Sequence, residues 1–129
     1  MAKTVAALLS LAREKLSAAE ALGRMGFYRD AISRAYYGMY HTAQALLLAH
    51  EKKAIGHIGT ISAFNHYFVK AGKVSAEYTK WFSALKESRE FADYEGLRKF
   101  TKRDVDRAVK ETEGFLSTVE KLIRERQRI

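Results

Sequence analysis

Apolar side chains recur every three or four positions along most of the chain, which is the spacing of amphipathic helices. Glycines and short polar stretches interrupt the pattern. It predicts five helices, over about residues 4–22, 29–50, 57–71, 75 to 94–96, and from 101 into the C-terminal tail. Proline is absent and no β-branched run alternates as a strand would, so we expect an all-α fold.

Capping residues support the predicted helix ends. Thr4 and Ser75 stand at N-cap positions, and Thr101 with the aspartate three residues later forms a capping box. Gly23 and Gly26 are expected to bracket the first turn. Because connections of only a few residues join long helices, we expect antiparallel neighbours and an up-and-down bundle.

The second predicted helix contains an unusual segment, SRAYYGMYHTAQ, at residues 33–44. Arg34 and His41 are seven positions apart, so they lie on one face and about 10.5 Å apart along the helix axis. Asp30 and Gly38 share that face, and Tyr37 lies at its edge. The opposite face is predicted to be core and carries Ile32, Tyr36, Met39, Ala43, Leu46 and Leu47.

The face of Arg34 and His41 also includes Ala45 and Leu48, and it is nearly free of long charged side chains. A glycine inside a helix costs about 1 kcal/mol relative to alanine, and it is expected where another backbone or a ligand comes close. Since only one face of the helix is expected to pack within its own bundle, we predict that a second copy covers the other by two-fold symmetry. An i,i+4 pair of Asp30 with Arg34, beside a purely structural histidine, is the alternative.

The composition is that of one folded domain spanning residues 1–129. Twenty-three Lys and Arg against 15 Asp and Glu give a net charge of +8, which favours an anionic partner such as RNA or a nucleotide.

Cysteine is absent, so the reducing cytoplasm is the expected compartment. The longest apolar run, at residues 45–49, is far shorter than the roughly 20 residues of a membrane span. We therefore expect a soluble protein without a membrane association.

A polar cluster is predicted on the fourth helix. Arg89 and Asp93 are an i,i+4 pair, and Tyr94 follows them. The cation precedes the anion, which is the weaker order in an isolated helix and suggests tertiary partners. Structural anchoring is the simpler role for this cluster, and Asp93 is also a candidate to orient Arg34 or His41.

A basic stretch, LRKFTKRD, precedes the fifth helix. Arg98, Lys99, Lys102 and Arg103 are interleaved there with Phe100, a pattern that suits phosphate attraction and base stacking. The alternative is a solvated loop in which Phe100 packs under the following helix.

The remaining histidines do not predict a metal site. His57 and His66 are nine positions apart, which is not the i,i+4 spacing of helical metal ligands, and no cysteine or carboxylate cluster completes a set. We expect neither a metal nor a cofactor, and we assign His57 a packing or capping role at a helix start.

Three segments together resemble the HEPN domain: AISRAYYGMYHTAQALL, GHIGTISAFNHYFVKAG and SREFADYEG. The resemblance covers nearly the whole chain and is greatest to small stand-alone prokaryotic proteins encoded beside minimal nucleotidyltransferases. The HEPN signature is an arginine, four to six residues and a histidine, which Arg34 and His41 satisfy with six. Two positions depart from patterns common in the family: Ala35 replaces a polar residue, and Ala43 replaces a tyrosine that a partner enzyme can modify with AMP.

The resemblance implies a metal-independent endoribonuclease whose site is completed at a dimer interface. His41 would accept the proton of a ribose 2′-hydroxyl, and Arg34 would stabilise charge on the attacked phosphate. Such toxins are paired with a minimal nucleotidyltransferase antitoxin. A catalytically silent module that binds a nucleotide or supports a nucleotidyltransferase is the main alternative, and a purely structural helical dimer is another.

Overall fold

The computed structural model describes residues 4–94 and 98–127, except for the side chain of Tyr94. This part of the chain contains five α-helices. The predicted all-α class is confirmed. The helices are α1 (Val5–Arg24), α2 (Tyr28–Ala49), α3 (Gly56–Phe64), α4 (Glu77–Tyr94) and α5 (Lys102–Gln127). A single π-helical turn, Asn65–Val69, directly follows α3.

Neighbouring long helices run in opposite directions, as expected for an up-and-down bundle. A three-residue connection joins α1 to α2, and the two helices pack against each other along their lengths. Arg29 at the start of α2 donates to the carbonyl of Ala92 near the end of α4 over 2.9 Å. Gly23 near the end of α1 contacts Val105 near the start of α5. Therefore α1 and α4 point one way, while α2 and α5 point the other.

The central helix is α2, which contacts α1, α3, α4 and α5. Tyr36 faces α3 and α4 on one side, while Gly38 faces α1 and α5 on the other. Gly38 and Ala45 are both buried in their own bundle. The prediction that a second copy covers this whole face was wrong, because helices of the same chain pack on both sides of α2.

Aromatic side chains fill the space between α2 and the C-terminal half of the chain. Phe64 and Phe68 are buried on α3 and its π-helical turn and stack on each other. Phe64 also meets Phe115 from α5, which in turn contacts Phe82 from α4. The ring centroids of Phe64 and Phe115 are 5.1 Å apart. This packing holds α3 against the bundle although it is only nine residues long.

Two helix ends differ from the sequence predictions. Gly23 lies inside α1, where a Cβ atom would come within 2.9 Å of Val105, so its smallness serves helix packing instead of a turn. Gly26 alone takes the left-handed conformation of that turn, at φ +85°. The third predicted helix, 57–71, is realised as α3 plus the π-helical turn and ends at Val69.

Candidate active site

One stripe along α2 is left uncovered by the bundle. Asp30 and Arg34 are exposed, and Tyr37 and His41 are half-buried. Arg34 makes no ion pair with any residue between positions 4–94 or 98–127. The structure thus keeps four of the predicted site residues on one accessible surface, hereafter the α2 stripe (Asp30, Arg34, Tyr37, His41).

Gly38 does not belong to the α2 stripe. A Cβ atom at this position would lie 3.2 Å from Cγ2 of Thr112 and 3.4 Å from the carbonyl oxygen of Ala12. The predicted close approach is therefore real, but it is made with α1 and α5 of the same chain. Gly38 supports the site by letting these helices pack tightly beneath the stripe.

His41 is oriented by a neighbour one helical turn away. Its Nδ1 lies 2.9 Å from Oε1 of Gln44. Because a carboxamide oxygen only accepts hydrogen bonds, Nδ1 must carry the proton in this pair. In the neutral imidazole, Nε2 then holds the lone pair. That is the protonation state required of a general base.

A second histidine shares two tyrosine neighbours with His41, and the sequence did not predict this arrangement. The ring of His57, at the start of α3, stacks on Tyr40 with centroids 4.4 Å apart, and Tyr40 also lies 5.6 Å from His41. Tyr37 is close to both imidazoles, at 6.0 Å from His57 and 6.2 Å from His41. The sequence predicts only a packing or capping role for His57, since its spacing from His66 does not suit a metal site. It is 16 positions from His41, and no local spacing connects the two.

Tyr36 anchors His57 from below. The Tyr36 side chain is completely buried, and its hydroxyl is 2.5 Å from Nδ1 of His57. Burial strongly raises the pKa of Tyr36, so the hydroxyl stays protonated at any physiological pH. The group consisting of Tyr36, Tyr37, Tyr40, His41 and His57 is called the tyrosine–histidine cluster below.

Arg89 lies against the cluster from α4. Its guanidinium is 5.4 Å from the ring centres of both Tyr36 and Tyr37 and pairs with Asp93 at 3.0 Å. These are the tertiary partners that the order of the Arg89 and Asp93 charges suggested. The Nε of Arg89 is buried and has no hydrogen-bond partner among the described residues. The side chain of Tyr94, also expected in this group, lies outside the described part of the chain.

The electrostatic surroundings keep His57 neutral. Burial lowers its pKa, and the positive charges of Arg89 and Lys86 lower it further against an opposing effect of Glu90. His57 is therefore largely unprotonated at neutral pH and has an N–H donor as well as a lone pair to offer.

The residues of the predicted basic stretch fall into two groups, those that contact other side chains of the protein and those that are simply exposed. The Arg98 guanidinium packs on the rings of Phe91 and Phe100 at 5.0 and 4.9 Å. Lys102 pairs with an aspartate one turn later at 3.2 Å. Lys99 and Arg103 are exposed, and Lys99 lines a cleft of about 360 Å³ together with Asp30 of the α2 stripe. Lys99 therefore lies beside the Asp30 end of the α2 stripe.

Phe100 is only half-buried beside the start of α5. It packs against the core and also contacts Arg29 and Arg98 through its ring. This position agrees with the alternative in which Phe100 packs beneath the fifth helix.

One protein family and several individual proteins match most of this chain. The family described as "HEPN domain" matches residues 5–122. A "UPF0332 protein" from Thermotoga maritima is 38% identical over 117 residues, which cover 91% of this chain and 89% of that protein. "Putative toxin MJ0605" from Methanocaldococcus jannaschii is 36% identical over 121 residues, covering 94% and 90% of the two chains. "Putative toxin MJ0142" of the same organism is 28% identical over 116 residues, covering 90% and 79%.

Within residues 4–94 and 98–127, no helix combines the length and the apolar character needed to cross a bilayer.

Proposed function

The chain belongs to the HEPN domain family, as its sequence predicted, and from this premise we propose that it is a metal-independent endoribonuclease acting as a toxin. Two relatives that match about nine-tenths of this chain carry names that describe toxins. Arg34 and His41, which satisfy the family signature, share the accessible α2 stripe. This accessible placement supports an enzyme, because a purely structural pair would not need to be accessible.

The hydrogen bond between His41 and Gln44 is the observation that carries this proposal. It sets the proton on Nδ1 and the lone pair on Nε2, which is the tautomer of the neutral His41 that acts as a base through Nε2.

The proposed reaction is an internal transesterification of RNA. His41 Nε2 removes the proton of a ribose 2′-hydroxyl, whose oxygen attacks the adjacent phosphorus. The bond from phosphorus to the 5′-oxygen breaks, leaving a 2′,3′-cyclic phosphate and a 5′-hydroxyl end. Arg34 stabilises the charge on the phosphate oxygens, and its planar guanidinium suits two of them at once.

The leaving 5′-oxygen needs a proton, and we propose that a second copy of the chain supplies it through its own imidazolium. Exposed apolar side chains favour such a dimer: Ile55 is 93% exposed, and Leu48 is 40% exposed. Both line a cleft of about 440 Å³ with Gln44, which is the hydrogen-bond partner of His41. The apolar surface thus begins where the α2 stripe ends.

The proposed partners follow from charge and from the family. RNA suits the net charge of +8, the exposed Arg103 and the exposed Lys99, which lines a cleft with Asp30 of the α2 stripe. A minimal nucleotidyltransferase is the proposed antitoxin, on the resemblance to proteins encoded beside such enzymes. Because cellular RNA is the substrate, the proposed compartment is the cytoplasm, and no metal or cofactor takes part.

Ribonuclease assays of His41→Ala and Arg34→Ala test the activity directly. Cleavage of structured and unstructured RNA is measured with EDTA present, after circular dichroism has shown that each variant is folded. Losing a general base typically lowers the rate by about 10²–10⁴-fold, and we expect a loss in this range for His41→Ala. The wild-type protein should produce 2′,3′-cyclic phosphate ends.

The matched control is His66→Ala, because His66 is an exposed histidine on the π-helical turn. It should cleave at the wild-type rate. If neither the wild-type protein nor any variant cuts a varied set of RNAs, the enzyme is rejected in favour of the non-catalytic binding module.

A further inference from the structure

We propose that His57 belongs to the same site as Arg34 and His41 and donates a hydrogen bond from Nε2 to a non-bridging oxygen of the scissile phosphate. This inference rests on the proposed ribonuclease function and adds a residue to it. His57 gives up no proton in this role, so it differs from an acid or a base.

The first support is position. Both imidazoles contact the same two tyrosine rings, since Tyr40 and Tyr37 each lie within 6.2 Å of His41 and of His57. Tyr40 is 5.6 Å from His41 and 4.4 Å from His57, so the distance between the two imidazole centroids cannot exceed the sum of these two distances. In this proposal the scissile phosphate binds between the two histidines, beside the tyrosine rings that they share.

The second support is the tautomer of His57. The Tyr36 hydroxyl is buried, and among the described residues Nδ1 of His57 is its only hydrogen-bond partner, at 2.5 Å. A buried hydroxyl proton needs an acceptor, so Tyr36 donates to Nδ1. In the neutral ring the proton of His57 must then be on Nε2, which makes that atom a donor.

The third support is the contrast between the two histidines. Gln44 accepts from Nδ1 of His41 and leaves its Nε2 as an acceptor, whereas Tyr36 donates to Nδ1 of His57 and leaves its Nε2 as a donor. The protein thus sets opposite tautomers in two imidazoles that contact the same two tyrosine rings. Transesterification needs both kinds of group, because one must remove a proton while another must stabilise negative charge.

Charge around His57 agrees with a neutral donor. Burial and the nearby Arg89 and Lys86 lower its pKa, while Glu90 opposes them from the surface of α4. A neutral N–H at a fixed position stabilises charge that develops on a phosphate oxygen without being consumed in the reaction. The 2′-oxygen–phosphorus bond forms and the bond to the 5′-oxygen breaks, while the His57 proton stays on Nε2.

Paired substitutions at position 57 test this role. Removing one preorganised donor to a developing oxyanion typically costs about 10²–10³-fold in kcat, so His57→Ala should lose activity in this range with little change in KM. His57→Gln keeps an N–H donor near the place of Nε2 and should recover most of the loss. Tyr36→Phe, which no longer selects the tautomer, should lower kcat by less than His57→Ala.

The pH–rate profile separates a donor from an acid or a base. His57→Gln should keep both limbs of the wild-type profile, because the groups that exchange protons are unchanged. A lost limb, a His57→Gln variant as slow as His57→Ala, or a folded His57→Ala variant with wild-type kcat would each overturn the proposal. Thermal unfolding of every variant shows whether a loss of kcat reflects an unfolded α3.

A spectroscopic measurement tests the tautomers without any activity. Long-range ¹H–¹⁵N correlation spectra of the neutral imidazoles should show the proton of His57 on Nε2 and that of His41 on Nδ1. Protonated Nδ1 in His57 would contradict the inference even in an active enzyme. If the spectra agree but the wild-type protein does not cleave RNA, the ribonuclease function fails while the tautomer assignment stands.

Discussion

Gly38 is the residue at which one added methyl group would disturb three helices. Its missing side chain lets the backbone of α1 and the methyl group of Thr112 approach α2. The Thr112 hydroxyl donates to the carbonyl of Ala35 over 3.3 Å, which limits the freedom of its methyl group to move away. Tight packing at this point supports the stripe that carries Arg34 and His41.

Substituting Gly38 by alanine should therefore destabilise the protein in spite of the higher helix propensity of alanine. Overpacking typically costs about 1–3 kcal/mol and the propensity gain is about 1 kcal/mol, so we expect a net loss of about 1 kcal/mol in the free energy of unfolding. Urea denaturation measures it. Adding Thr112→Ser, which removes the obstructing methyl group and keeps the hydroxyl, should recover much of the loss.

Gly114 provides the matched control for this experiment. It lies within α5, it is exposed, and an added Cβ atom would meet nothing within 4 Å. Gly114→Ala should thus raise the free energy of unfolding by up to about 1 kcal/mol. Equal stabilisation by both substitutions would show that no close approach exists at Gly38.

The start of helix α5 is set by a capping box between two residues that are close in the sequence. The Asp104 carboxylate accepts from the backbone N–H of Thr101 at 2.9 Å, and the N–H of Asp104 points to Oγ1 of Thr101 at 3.3 Å. This reciprocal pair is the capping box that the sequence predicted, and α5 begins at the next residue, Lys102. The box starts the helix beside the exposed Lys99 and Arg103.

Removing the cap should weaken α5 at its first turn. Thr101→Ala leaves an N–H of the helix without its side-chain acceptor, and we expect a loss of about 1 kcal/mol in the free energy of unfolding. Hydrogen exchange should accelerate most in the first turn of α5. Ser117→Ala, at an exposed position inside the same helix, should change the stability by less than about 0.5 kcal/mol, and an equal loss there would refute a specific capping effect.

At the scale of the whole molecule, a basic protein exposes an apolar surface next to its candidate site. Ile55 and Ile58 are 93% and 72% exposed at the start of α3, and Leu48 lies close to Ile55 across a shared cleft. Large apolar side chains grouped in this way are typical of surfaces that bind another protein. The proposed two-fold dimer would bury them and bring two copies of His41 towards each other.

Ile55→Glu should shift this dimer towards monomers and, if the site needs both copies, lower RNA cleavage in parallel. The reason is that a carboxylate would be transferred into an apolar interface. Analytical ultracentrifugation at micromolar concentration measures the first effect and the cleavage assay the second. Ser17→Glu adds the same charge at an exposed position on α1 and should leave both unchanged. A wild-type protein that is monomeric and fully active would contradict the shared site.

The sequence by itself determined the helices and the family. Amphipathic spacing depends on neighbours within one or two turns, so the five helices and the capping box at Thr101 could be predicted from local pattern alone. The same holds for Arg34 and His41, whose seven-residue spacing places them on one face of any straight helix. No fold-level information was needed for either prediction.

Only the tertiary structure decided what surrounds that helix. The periodicity of α2 does not show how many helices pack on it, so the sequence predicts a dimer interface at Gly38 and Ala45. In the structure both residues are buried within the same chain, and Gly38 lies against α1 and α5. His57 reaches Tyr36 and Tyr40 because residues 50–55 turn the chain back against α2. Contacts across such a turn have no sequence period, because they depend on where the packed bundle places each chain segment.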